Sequence, residues 1–99
     1  MNFLEKLYQF DKNKIDSTID FIFDYFDDAF LNNNFQECDD ILEKLDLNKI
    51  PIVLMISFLT ITLAAKSKLK NRINFYKKVE EKIKEKEPEK LKDLLYGLE

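Results

Sequence analysis

Histidine is absent from this chain of 99 residues, and there is one cysteine, one glycine and two prolines. Without imidazole there is no His-based acid/base chemistry, no His metal ligand and no Cys-His nucleophile. Cys38 alone forms neither an internal disulfide nor a paired-cysteine zinc site, which fits a reducing compartment. Turn residues as sparse as Pro51, Pro88 and Gly97 exclude an ordinary β-sandwich or barrel, and apolar and polar residues never alternate for more than a few positions. The expectation is an all-α protein folded as one domain over residues 1–99, with a single modest core.

Charge is missing from one long stretch, Ile50 to Ala65, in a chain of which 35% is charged. As a helix it would span about 24 Å, short of the roughly 30 Å hydrocarbon core of a bilayer. The hydroxyls of Ser57, Thr60 and Thr62 weaken the membrane reading further, so this segment is predicted to be a buried central helix. Projection puts Val53, Ser57, Thr60 and Ala64 on a small face, where a neighbouring helix is expected to come closest. Ile52, Met55, Ile56, Leu59 and Leu63 fall on another face, and so apolar a helix is expected to be surrounded by its own chain or by a second copy. Met1 to Phe10 mixes charges into its apolar residues and does not read as a signal peptide.

The other helices read as amphipathic. Asn2 and Glu5 have capping-box spacing ahead of Phe3, Leu7 and Phe10. After a polar break at Asp11 to Lys14, Asp16 or Ser17 is a candidate cap for a helix running to about Leu31, with Ile15 a possible first residue. Its core stripe is Ile15, Ile19, Ile22, Phe26, Ala29 and Phe30, with Phe23 and Tyr25 at the margins. Phe21 falls among the acids as the best candidate for an exposed aromatic. Asn32 to Asn34 form a turn. Asn34 and Glu37 then open a third helix with Phe35, Cys38, Ile41, Leu42 and Leu45 inward. The same stretch has oxygen ligands at some calcium-loop spacings, but Glu37 stands where the sharp turn needs Gly, so a helix start is preferred.

Pro51 suits the first turn of the central helix. Ser67 is a candidate cap for a fifth helix burying Leu69, Ile73, Tyr76, Val79 and Ile83, with Phe75 beside them. Pro88 stops that helix and can open a sixth, carrying Leu91, Leu94 and Leu95 and closed by Gly97. The architecture predicted is a compact bundle of five to six helices, paired as antiparallel hairpins around the central apolar helix.

Helices two to five, paired by short turns, resemble tetratricopeptide architecture. Ile22 and Tyr25 match the large apolar positions of helix A, Asn33 the turn, Cys38 the small position of helix B and Leu42 its aromatic position. Phe26, Leu45 and Ile50 depart from the pattern, standing where the repeat has Gly/Ala, Ala and Pro, so the likeness is one of architecture. The stretch Ile41 to Val79 also resembles short helical proteins encoded by phages and other mobile elements of bacteria. That resemblance implies an accessory role in a bacterial host cytoplasm and carries no activity. Abundant Lys, Asn, Ile and Phe with scarce Ala agree with an A/T-rich coding sequence.

Charge is unevenly placed along the chain. Ile15 to Asn48 carries ten acids against Lys44 alone, whereas Lys49 to Glu99 is net basic, and the total of −3 hides this division. Asp16, Asp20, Asp24, Asp27 and Asp28 share the outer face of the second helix, about 6 Å apart along its axis. Like charges at that spacing cost tenths of a kcal/mol per pair. A cost left uncompensated points to a surface that attracts a basic protein partner by imitating nucleic acid; a solvated acidic face, partly neutralised by the chain's own basic half folding against it, is the alternative. The candidate partner-binding residues are these five aspartates with Phe21.

Nucleic acid is the less favoured partner. Lys66 to Lys86 is basic and contains Phe75 and Tyr76, but Glu80, Glu81 and Glu85 interleave with Lys77, Lys78, Lys82 and Lys84 at pairing distance. A third reading is a structural or assembly subunit forming a homo-oligomer through the central helix. No Gly-rich phosphate loop, positioned nucleophile or ligand cluster stands out. The expectation is therefore a non-enzymatic binding protein, an inhibitor or adaptor, with no cofactor or metal and no membrane segment.

Overall fold

A computed structural model describes residues 2–90 of the chain, apart from the side chain of Ser67, and the helices follow in a simple order. α1 spans Phe3–Tyr8, and the Asn2 side chain accepts the Glu5 amide hydrogen at 2.9 Å, as the capping spacing predicts. Phe3 and Leu7 are buried beneath it. Asp11 then caps a short 3₁₀ turn, Lys12–Lys14, that runs directly into α2, Ile15–Leu31. Because the turn already supplies the helix start, Asp16 and Ser17 lie inside α2 and do not cap it.

The buried stripe of α2 is Thr18, Ile22, Phe26 and Ala29, with Ile15, Ile19 and Phe30 at its edges. Thr18 tolerates burial because its hydroxyl donates to the Lys14 carbonyl at 3.2 Å. Asn33 adopts the left-handed conformation at φ 60°, which Asn accommodates better than most residues. The Asn34 amide reaches the Ala29 carbonyl at 2.8 Å and the Asn33 amide reaches Phe30 at 3.1 Å. This paired pattern is the Schellman ending, and it turns the chain sharply into α3, Phe35–Lys44.

α3 buries Cys38, Ile41 and Leu42 as predicted, and Asp39 as well. Asn34 makes no side-chain cap, and Glu37 does not complete a capping box there, since it accepts the Tyr25 hydroxyl of α2. Leu45, Leu47 and Ile50 carry the core through a second 3₁₀ turn, Leu47–Lys49, to α4, Ile52–Ala64. Tyr8 holds this connection to α1: its hydroxyl accepts the Asp46 amide at 2.9 Å, and the Lys49 ammonium lies 4.8 Å from its ring centroid.

Pro51 occupies the cap position of α4, one residue before the first turn, so its missing N–H still leaves no helical bond unmade. α4 packs between α2 and α5, Arg72–Lys86. Phe58 is the junction: it meets Phe26 and Phe75 edge-on at 5.7 and 6.4 Å and Phe3 at 6.2 Å. The hydroxyls of Ser57, Thr60 and Thr62 each donate to the carbonyl four residues back, at 2.7 to 2.9 Å. No described helix is long and apolar enough to cross a membrane.

The small face of α4 is not where a neighbour comes closest. Val53 is 44% exposed, and Thr60 and Ala64 are exposed too; only Ser57 of the four is buried. Apolar burial stabilises by about 25 cal/mol per Å², so the sides bearing Phe58, Leu54, Met55, Leu59 and Ile61 are buried and the side with less to gain is left outside.

A third 3₁₀ turn, Lys66–Lys68, contains the predicted cap Ser67, but α5 begins later, at Arg72. Its N-terminus is held by Asp39, whose carboxylate accepts the Lys70 and Asn71 amides at 3.1 and 3.0 Å. The Asn71 side chain returns a bond to the Asp39 carbonyl at 2.9 Å. Leu69 is buried while still extended, and this resets the phase of the helix. Phe75, Val79 and Ile83 form the inner stripe, Tyr76 is half-buried and Ile73 is 60% exposed, contrary to the expected burial. α5 stops two residues before Pro88; the predicted sixth helix with Leu91, Leu94, Leu95 and Gly97 lies outside the described residues.

Candidate interaction surfaces

α2 exposes Asp16, Asp20, Asp24, Asp27 and Asp28 because the opposite side of the same helix is anchored by Ile22, Phe26 and Ala29. Among the described residues none of the five forms an ion pair; the pairs present are Lys82–Glu85 at 3.9 Å and Lys90–Glu87 at 3.0 Å. Asp27 and Asp28 also stand in the last turns of α2, where the negative end of the helix dipole disfavours them.

Phe21 is not an exposed aromatic. It is half-buried and stacks on Phe3 with centroids 5.1 Å apart and planes at 15°, because α1 folds over that edge of α2. Leu31 is the apolar residue presented to solvent, at 84% exposure, four residues beyond Asp27.

Tyr25 and Cys38 lie near the acidic side without being reactive. The Tyr25 hydroxyl is pushed up to about 12 by its bond to Glu37, by burial and by the neighbouring negative charge. Burial, then Glu37 and Asp39, push the Cys38 thiol up to about 11, so it stays protonated near neutral pH and is a packed side chain rather than a nucleophile. No group of three His, Cys, Asp or Glu side chains among the described residues has the geometry to hold a metal ion.

The basic half presents a second surface. Lys66, Lys68 and Lys70 are exposed around the 3₁₀ turn and Arg72 is half-exposed, with Lys77 and Lys78 further along α5. Lys68 rests on the Phe35 ring at 5.2 Å. Glu43 and Glu81 share with Asn71, Asn74, Lys77 and Lys78 an open cleft of about 410 Å³. Of the interleaved glutamates and lysines of α5, only Lys82 and Glu85 come together, since exposed pairs gain little over hydration. A third surface is the uncovered side of α4, with Val53, Thr60 and Ala64 exposed and Ile56 and Leu63 half-buried beside them. Comparison with protein-family models, curated proteins and solved structures finds no match to this chain.

Proposed function

We propose that this protein works by binding a partner protein with a basic surface, through the aspartate face of α2. The observation that carries the reading is five exposed carboxylates on one helix with no cation paired to them among the described residues. Their mutual repulsion is retained in the folded chain, and a cationic partner would relieve it. Phe21 supports the edge of this face from below and Leu31 offers an apolar contact at its end. The resemblance to short helical proteins of mobile elements supports an accessory role in a bacterial host, and an inhibitor or adaptor acting without catalysis is a role of that kind. Replacing Asp20, Asp24 and Asp27 by Asn tests it: capture of basic proteins from a bacterial lysate should fall severalfold, and unchanged capture would sink the proposal.

The uncovered side of α4 favours a second reading, an assembly subunit. Val53, Ile56, Thr60 and Leu63 follow the spacing of a two-helix seam, and no charge interrupts it. Light scattering should then give a multiple of 11.9 kDa that Val53→Lys returns to the monomer. A monomer at high concentration rejects this reading and leaves the first intact.

A further inference from the structure

Between Ala65 and Val79 the chain carries Lys66, Lys68, Lys70, Arg72, Lys77 and Lys78 and no carboxylate. Glu43 and Glu81 stand beside Lys77 and Lys78, so those two cations are partly offset. The first four form no ion pair among the described residues. The carboxylate that the fold brings against their turn, Asp39, is 3% exposed and is occupied by the Lys70 and Asn71 backbone amides. It fixes the backbone from inside while the side-chain charges remain outside. Phe35 orients the Lys68 ammonium through its ring face, which leaves the charge unneutralised.

We propose that the Lys66 to Arg72 turn binds the phosphodiester backbone of a nucleic acid strand without reading its sequence. Counterion release requires cations not held in ion pairs, and among the described residues this turn supplies four such cations, with Asp39 the carboxylate buried behind their backbone. Lysine serves phosphate as a point charge and arginine as a fork, and both types are present. Base stacking has little to work with, because Phe75 is buried and Phe35 carries Lys68 on its face. An anionic membrane is the lesser fit, since Ile73 is the only large apolar side chain strongly exposed in this segment and surface binding needs an apolar face.

Fluorescence anisotropy of the full chain with short labelled duplex and single-stranded DNA tests the proposal, with phosphatidylserine-containing vesicles as a separate arm. Four neutralised phosphates predict that duplex affinity falls roughly 100-fold between 50 and 200 mM salt, and single-strand affinity about 50-fold. K68Q/K70Q/R72Q should lose at least tenfold in affinity with its circular dichroism unchanged, whereas K68R/K70R and D20N/D24N/D27N should still bind. If the glutamine variant fails to fold, the salt slope and the arginine variant still decide the matter. Absence of binding at low salt, binding indifferent to salt, or binding to vesicles alone that Ile73→Ser abolishes would each overturn it.

Discussion

At the scale of single residues, Phe58 and Asp39 organise the molecule. Phe58 is fully buried and meets rings from α1, α2 and α5, so Phe58→Ala should cost about 3–5 kcal/mol in urea unfolding. Val53→Ala, on the open side of the same helix, should cost a small fraction of that. Asp39→Ala leaves two backbone amides without their acceptor and should destabilise by roughly 1–3 kcal/mol. Asp39→Asn retains one acceptor oxygen and should cost less. Titration gives a further residue-level expectation. Cys38 and Tyr25 hold their protons in the folded chain to about 11 and 12, against ordinary values of 9.0 and 10.0. The unfolded chain releases these protons first, so stability should be level near neutral pH and decline as pH rises above about 9. Urea midpoints measured from pH 7 to 11 check this, and Cys38→Ala should flatten the early part of the decline.

At the scale of elements, how much could be read in advance depended on how local the determining contacts were. The Asn2 cap, the asparagine turn and the inward positions Cys38, Ile41 and Leu42 follow from neighbours within one or two turns, and they were legible. Rotational phase was not. Leu69 docks before α5 begins, and that long-range contact turned Ile73 out and Phe75 in. The same limit applies to α4, whose apolar residues surround it so evenly that periodicity could not say which side faces α2 and α5. The aspartates, by contrast, were legible as an exposed face because the opposite stripe of α2 is strongly apolar, while the covering of Phe21 by Phe3 required knowing where α1 folds. For α2 itself, removing like charges should not harm the fold. D24N/D27N/D28N should melt at or above the temperature of the natural chain in low salt, with the difference shrinking as salt is raised.

At the scale of the whole molecule, a radius of gyration of 13.0 Å matches the value of about 13 Å expected for a packed domain of 100 residues, so the charged surfaces share one body. α2 carries the acids and the turn into α5 carries the cations, and the two sets leave each other unpaired among the described residues. The measurement that bears most directly on the proposed function is quantitative capture from a bacterial lysate by the natural chain and by D20N/D24N/D27N, read by mass spectrometry. If the aspartate face captures the partner, the proteins lost with the triple variant are basic and are also released from the natural chain by salt. Capture of the same proteins in the same amounts by both chains would contradict it.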